Sequence, residues 1–97
     1  MRDYEIIIIL QPELEDEARD SLLERIQGWI APDGAEASSL QADHWGMRQM
    51  AYAIRKFNRG FYAYYEAQVA PERIAEIERN LQYTEDVLRY MFVRKES

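Results

Sequence analysis

The sequence has 97 residues, 47% of them hydrophobic and 31% charged, which is the size and composition expected of a single globular domain over residues 1–97. It contains no cysteine, and this excludes a disulfide scaffold, a thiolate zinc site, an iron–sulfur cluster and a cysteine nucleophile. The formal net charge of −6, taken alone, argues against a nucleic-acid ligand, because affinity for nucleic acids comes largely from neutralising phosphates.

The first two predicted elements are a strand and a helix. Isoleucines dominate Arg2–Leu10, which predicts a strand that ends at Gln11-Pro12 and is apolar on both sides toward its end. Its apolar run from Ile6 is far too short to cross a membrane. Glu13–Ile30 is predicted to be a helix, because acids fill its first turns and apolar residues recur every three or four positions. Pro32-Asp33-Gly34 is expected to end this helix.

The middle of the chain is predicted to form a β-hairpin. After a polar stretch that begins at Ala35, alternation from Trp45 predicts a strand, and Gly46 indicates a bulge or a close backbone approach. Phe57-Asn58-Arg59-Gly60 is predicted to be the hairpin turn. The alternation in Phe61–Val69 predicts the returning strand.

The last third of the chain is predicted to form a helix and a strand. Ala70-Pro71-Glu72 is predicted to start the helix, with Ile74, Ile77 and Leu81 as its buried stripe. Val87–Arg94 is predicted to be the final strand, and a short polar tail follows it. The order strand, helix, strand, strand, helix, strand predicts an α+β ferredoxin-like sandwich, in which a four-stranded antiparallel sheet has both helices on one face.

The second face of this sheet is predicted to be apolar and uncovered, because two helices cover only one face. An apolar second face implies a protein partner or a covering loop. The residues expected at this partner face are Ile7, Ile9, Tyr62, Tyr64, Met91 and Val93.

The sequence shows little support for an active site, a metal site or a cofactor. Asp43 and His44 are neighbours on a predicted strand, so their side chains point to opposite faces. The acids between Glu13 and Glu17 fit a solvated helix start better than a metal site, because no glycine-bearing calcium loop follows. The four glycines are scattered and form no phosphate loop. We therefore expect no catalytic residue, metal, cofactor or small-molecule substrate.

The segment Trp45–Tyr65 departs from the acidic average. It contains four basic residues, seven aromatic residues and no acid, whereas residues 1–43 sum to −8 and residues 44–97 to +2. Arginines bind phosphates through planar bidentate donors, and exposed rings offer stacking surfaces for unpaired bases. The basic residues favour an anionic partner, while the tyrosines are either stacking groups or simply good strand formers.

The run Gly46–Lys56 resembles the signature of the sixth protein of the bacterial small ribosomal subunit. That family typically shows glycine, a basic residue two positions on, leucine, a small residue, tyrosine, proline, isoleucine and another basic residue. Met50 and Ala53 stand here in place of the leucine and the proline. The start Met1–Glu5 with its following apolar run, and Gly60-Phe61-Tyr62, are also similar to the family, so the resemblance covers essentially the whole chain.

The resemblance implies a ferredoxin-like fold, no catalytic activity and a place on the cytoplasmic ribosome, with no membrane contact. Members of this family pair with ribosomal protein eighteen, a small basic protein of the same subunit, and the pair binds the central domain of the ribosomal RNA. The acidic half of the chain would then be offset by the partner while the basic half faces RNA. The residues expected to contact RNA are Arg2, Tyr4, Arg48, Tyr52, Arg55, Lys56, Arg59, Arg89, Arg94 and Lys95.

A second hypothesis belongs to another class of protein. It is a small-molecule-binding ferredoxin-like domain or enzyme that self-associates through its open sheet face. This hypothesis predicts a symmetric homodimer and a closed pocket lined by His44, Trp45 and tyrosines.

Overall fold

Helices and strands follow one another in the predicted order, and the computed structural model describes residues 1–32 and 39–95. In chain order the elements are β1 (Arg2–Leu10), α1 (Asp16–Ile30), β2 (Gln41–Ile54), β3 (Phe57–Val69), α2 (Ile74–Gln82) and β4 (Val87–Arg94). A short 3-10 turn at Pro71–Arg73 leads into α2. Within the described ranges, no helix is long and apolar enough to cross a membrane.

The four strands form one antiparallel sheet in the order β2-β3-β1-β4. Strands β1 and β3 lie at the centre and pair continuously from Arg2 opposite Val69 to Leu10 opposite Phe61. Strands β2 and β4 are the two edges. This arrangement confirms the predicted ferredoxin-like α+β sandwich.

Both helices pack on the same face of the sheet. Leu22, Ile26 and Ile30 of α1 and Ile77 and Leu81 of α2 join one buried apolar cluster. The central strands contribute the even-numbered residues of β1 and the odd-numbered residues of β3, namely Tyr4, Ile6, Ile8, Leu10, Ala63, Tyr65, Ala67 and Val69. No residue classed as polar or charged is buried in the part of the chain that the structure describes. Removal of this apolar surface from water is therefore the main stabilising contribution.

Helix α1 begins at Asp16 rather than at the predicted Glu13. Gln11 holds the preceding residues in a turn, because its side-chain oxygen accepts a hydrogen bond from the Glu13 backbone N–H at 2.7 Å. The side-chain amide of Gln11 donates to the carboxylate of Asp86 at 3.2 Å, which ties this turn to the loop before β4. Of the predicted helix stop, Asp33-Gly34 lies outside the described residues.

The turn between β2 and β3 is Arg55-Lys56, and the predicted turn at Phe57–Gly60 is wrong. Ile54 pairs directly with Phe57, so the loop has only these two residues. Their φ values of 50° and 71° are positive, as a type I′ turn requires. Asparagine and glycine, which usually favour turns, lie instead inside β3.

Strand β2 is longer and less regular than predicted. It begins at Gln41, ahead of the predicted start at Trp45. The register shifts between His44 and Gly46, and Gly46 has a φ of 86°, which confirms the predicted bulge. A second irregularity places positions 50–53 of β2 opposite a single residue of β3. These interruptions leave the outer edge of β2 unsuited to continuous pairing with another strand.

Candidate functional site

The face of the sheet opposite the helices, which we call the open face, carries its side chains in cross-strand rows. The acidic row joins Glu5, Glu66, Gln41 and Val93. The middle row joins Ile7, Tyr64, Asp43 and Met91. The end row, nearest the β2–β3 turn, joins Ile9, Tyr62, Gly46 and Arg89. The open face therefore changes from acidic, through apolar and aromatic, to basic.

Trp45 lies flat over the tyrosines of the open face, next to the bulge at Gly46. Its ring is stacked on that of Tyr64, with centroids 5.2 Å apart and planes inclined by 11°. It is also stacked on Tyr62 at 6.4 Å and 19°. The guanidinium of Arg48 lies 4.7 Å from the centroid of the Trp45 ring, a cation–π contact worth about 0.5–1 kcal/mol at an exposed site. These contacts hold the aromatic group in one arrangement before any ligand arrives.

A shallow concavity of about 190 Å³ lies beside Trp45 on the open face. The residues that line it include Ile7, Ile9, Trp45, Tyr62, Arg89 and Met91. The Nη1 of Arg89 donates a hydrogen bond to the hydroxyl of Tyr52 at 2.8 Å, which fixes the polar rim. Met91 is 42% exposed, and its neighbour Val93 is 43% exposed. Apolar surface thus remains uncovered at the centre and along the β4 side of this face.

All six residues predicted for the partner face lie on the open face, as strand parity indicated. They are Ile7, Ile9, Tyr62, Tyr64, Met91 and Val93. Their contact with another protein stays a prediction.

Tyr64, Glu66 and Lys95 form a hydrogen-bonded chain at the acidic row. The Tyr64 hydroxyl donates to Oε1 of Glu66 at 2.8 Å, and Nζ of Lys95 donates to the same oxygen at 3.1 Å. Burial, reinforced by the hydrogen bond to Glu66 and by the charge of Glu5, raises the pKa of Tyr64 to about 12. The hydrogen bonds from Tyr64 and then from Lys95 hold the pKa of Glu66 below its usual value. The Glu66 carboxylate is therefore ionised at neutral pH and is already paired with the ammonium group of Lys95.

The β2–β3 turn presents cations to solvent. Nη1 of Arg55 donates to the backbone oxygen of Glu85 at 2.6 Å, which attaches the turn to the loop before β4. Lys56 and Arg59 are exposed, and neither has a hydrogen bond or an ion pair with any described residue. Cations left unpaired in this way are available to an anionic group of a ligand.

The ten residues predicted to contact RNA fall into two groups at opposite ends of the sheet. Arg48, Tyr52, Arg55, Lys56, Arg59 and Arg89 lie toward the β2–β3 turn. Arg2, Tyr4, Arg94 and Lys95 lie at the other end. On β1, Tyr4 lies at one of these ends and Leu10 lies toward the other, nearer the β2–β3 turn. The two residues are six positions apart along the strand, which corresponds to about 20 Å.

Two members of the second group already have contacts within the chain. Tyr4 is only 8% exposed and belongs to the core on the helix side, so its ring is not offered to a base. Lys95 is held by Glu66 in the acidic row. Arg2 and Arg94 are exposed, but they lie far from the turn.

The closed pocket of the second hypothesis is not formed, because His44 and Trp45 lie on opposite sides of the sheet. Nε2 of His44 lies 3.1 Å from the hydroxyl of Tyr65, whose side chain is in the core beneath the helices. Trp45 lies instead on the open face. In residues 1–32 and 39–95, no group of three or more histidine, aspartate or glutamate side chains could hold a metal ion.

Sequence reasoning missed the acidic row. Glu5 alternates with Ile7 on β1, and Glu66 alternates with Tyr64 on β3, so strand parity alone would have placed both acids on the open face. Their direct opposition depends on the β1–β3 register, which pairs residues far apart in the sequence. That register is visible only in the folded structure.

The uncovered sheet face, with its acidic, apolar and basic zones, defines a ferredoxin-like domain that presents a surface rather than a closed pocket to other molecules. The sequence profile of the family described as Ribosomal protein S6 matches residues 3–94. The chain belongs to the ribosomal protein S6 family.

Relatives and a solved structure agree with this assignment. The small ribosomal subunit protein bS6 of Moorella thermoacetica is 35% identical over 96 residues, covering 99% of this chain and 96% of its own length. That of Clostridium novyi is 38% identical over 96 residues, covering 99% of each. The crystal structure of 30S ribosomal protein S6 from Thermotoga maritima is similar with a TM-score of 0.85 at 28% identity, covering 97% of this chain and 87% of that one. The chain is thus a small-subunit ribosomal protein of the cytoplasmic ribosome and not an enzyme.

Proposed function

We propose that the protein binds ribosomal RNA in the central domain of the small subunit jointly with ribosomal protein eighteen, a small basic protein. The observation that carries this proposal is an exposed apolar zone on the open face, with cations at one end that pair with no described residue. In this arrangement the partner covers the open face, and RNA contacts the cations of the β2–β3 turn.

The open face has the composition of a protein interface. Met91, which lines the concavity with Tyr62, is 42% exposed, and Val93, farther along β4, is 43% exposed. Aromatic residues and methionine are enriched at the centre of interfaces, and charged residues are depleted there. Glu5 and Glu66 border the apolar zone, which favours a basic protein over an acidic one.

The turn end of the sheet has the composition of an RNA-binding surface. Lys56 and Arg59 are exposed and unpaired among the described residues, and Arg48 lies against the ring of Trp45. Guanidinium groups bind phosphates, and flat groups stack on unpaired bases of RNA. Arg2 and Arg94, at the opposite end, remain proposed contacts to a separate stretch of RNA.

The test measures the affinity of the preformed pair for central-domain RNA as a function of salt. The variant Lys56→Glu/Arg59→Glu is compared with Arg25→Glu/Arg79→Glu, which makes the same charge change at exposed helical positions. Loss of two phosphate contacts should weaken RNA binding and lower the salt slope by about two, while the control variant keeps the slope. An equal loss of RNA affinity in both variants would show that the effect comes from the net charge of the chain. It would mean that the turn is not part of the RNA-binding surface.

The proposed contact with the partner is tested by measuring the affinity of the chain for ribosomal protein eighteen in the absence of RNA. Met91→Asp places a charge in the apolar zone and should weaken the pair by about tenfold or more, because the carboxylate loses water without gaining a partner. Tyr83→Asp places the same charge at a residue that is 80% exposed just after α2, and should leave the affinity unchanged. Full binding by Met91→Asp would contradict the role of the open face.

A further inference from the structure

The open face holds two docking features at a fixed separation. One is the apolar concavity next to Ile9 and Tyr62, and the other is the acidic row that contains Glu5 and Glu66. Because these pairs stand four residues apart on the same two strands, about 13 Å separates them. Both pairs of residues lie on the two central strands of the sheet, so their separation does not depend on a loop.

The acidic row already binds a cation from its own chain. Nζ of Lys95 lies 3.1 Å from Oε1 of Glu66, and the backbone N–H of Lys95 donates to the carbonyl oxygen of Asp3 at 2.8 Å. The Lys95 and Glu66 side chains remain 44% and 31% exposed. Exposed ion pairs of this kind are weak and exchange readily with other charged groups. Lys95 is therefore paired with Glu66 but does not prevent a more strongly binding cationic group from replacing it.

The charges of the open face favour some binding partners over others among a second copy of this chain, RNA and a basic polypeptide. A second copy of this chain carries the same net charge of −6, so a symmetric dimer would bring two like-charged molecules together. RNA phosphates would meet the same repulsion. A basic polypeptide satisfies both the carboxylates and the apolar concavity, and it is the occupant that charge complementarity favours.

Resting on the proposed role of this face in partner binding, we propose that the basic partner inserts one aliphatic or aromatic side chain into the concavity and places a lysine or arginine on Glu66, displacing Lys95. The separation of about 13 Å sets the spacing of these two partner residues. They stand about four positions apart in an extended segment or about nine apart along one helix. Lys95 is then an internal competitor that the partner must replace.

The experiment titrates the purified chain with purified ribosomal protein eighteen of the same organism and follows the heat of binding. Lys95→Gln removes the competitor and should raise the affinity by about two- to fivefold, the effect expected from one exposed ion pair. Glu66→Gln removes the acceptor and should lower the affinity by a similar factor. In the Glu66→Gln background, Lys95→Gln should have no further effect, because competitor and acceptor act as a pair.

Arg79→Gln is the matched control, since it removes one positive charge from an exposed residue of α2, on the other side of the sheet. An equal gain in Arg79→Gln and Lys95→Gln would mean that net charge is responsible, and it would overturn the inference. A loss of affinity in Lys95→Gln would overturn it as well. If Met91→Asp weakens binding while Glu66→Gln and Lys95→Gln do not change it, the proposed function stands and only this inference fails. Absence of binding by the unmodified chain would refute the proposed function and this inference with it.

Discussion

Gly60 is needed on the open face because side chains from neighbouring strands fill the space where a Cβ would lie. A Cβ at this position would overlap Cγ2 of Ile9 and would lie 3.2 Å from the carbonyl oxygen of Leu10. The sulfur of Met50 lies 3.7 Å from the same point. Lack of space, and not a left-handed backbone, therefore requires glycine here.

Gly60→Ala should destabilise the fold by about 1–3 kcal/mol, the usual cost of overfilling a packed site. Urea denaturation measures the change in the free energy of unfolding. Gly28→Ala is the matched control, because nothing lies within 4 Å of its Cβ position in α1. That substitution should stabilise the helix by about 0.5–1 kcal/mol. A Gly60→Ala variant as stable as the original chain would show that Ile9 moves aside without cost.

The high pKa of Tyr64 makes the native state sensitive to alkali. Its pKa is raised from 10.0 to about 12, so the folded protein holds this proton where an unfolded chain has lost it. The resulting contribution to stability is complete below pH 10.0 and is lost as the pH rises to about 12. Glu66 has the opposite dependence, because its lowered pKa gives a contribution that disappears as the pH falls through that pKa.

The absorbance of the chain is followed as the pH is raised, for the unmodified chain and for Tyr64→Phe. The difference between the two curves should be the titration of one phenol, with its midpoint near 12. Glu66→Gln should move this midpoint toward 10.0, because the acceptor loses its negative charge. A Tyr64 midpoint no higher than the ordinary value of 10.0 would contradict the hydrogen bond to Glu66.

Among the elements, the β2–β3 turn combines backbone strain with exposed charge. Arg55 and Lys56 both adopt a left-handed conformation, which costs a residue other than glycine about 1–2 kcal/mol. Arg55 offsets part of this cost through its hydrogen bond to Glu85, whereas Lys56 has no such bond to a described residue. Strained residues of this kind are often retained at functional sites.

Lys56→Gly should stabilise the chain by about 1 kcal/mol, because glycine adopts the positive φ without strain. The same substitution should weaken RNA binding by the pair, since it removes a cation of the proposed surface. Lys56→Ala separates the two effects: it should bind RNA as weakly as Lys56→Gly while gaining no stability. Urea denaturation and RNA titration together measure both quantities. Unchanged RNA binding in both variants would show that Lys56 makes no phosphate contact.

Some element boundaries follow from the local sequence, whereas others depend on distant residues. Strands β1 and β4 match the prediction at both ends, because each is a short apolar run bounded by polar residues or proline. The start of α1 and the position of the hairpin turn do not follow from local patterns. Contacts of Gln11 with Asp86 and of Arg55 with Glu85 accompany them, and both join segments far apart in the chain.

The alternation of residues along a strand predicts on which face of the sheet a side chain lies, but it does not predict which residues of neighbouring strands lie beside it. It therefore assigns Met91 and Val93 to the open face correctly. It does not reveal that Arg2 and Arg94 lie far from Arg59, because that distance depends on the register of three strands. Nor does it show that Lys95 is held by an acid on another strand.

At the scale of the whole molecule, a chain with a net charge of −6 has an open face whose two ends carry opposite charges. Two carboxylates, those of Glu5 and Glu66, lie at the acidic row, and the turn carries exposed cations that pair with no residue in the described ranges. The field of the whole chain opposes the approach of RNA, even though the turn itself is positive. A basic partner on the acidic row would remove this opposition.

The isolated chain should therefore bind central-domain RNA at least about tenfold more weakly than the pair with ribosomal protein eighteen at the same salt concentration. Filter binding at several salt concentrations measures both affinities. The isolated chain should sediment as a monomer, because its net charge of −6 disfavours self-association. Equal affinity of the isolated chain and the pair would contradict the division of charge proposed here.

The location of the two tryptophans gives the molecule a built-in optical label. Trp45 lies beside the concavity of the open face, whereas Trp29 is part of α1 on the other side of the sheet. Occupation of the concavity would change the surroundings of the first indole and leave those of the second unchanged. The fluorescence of the unlabelled chain would thus report docking at the open face, with Trp29 as an internal reference.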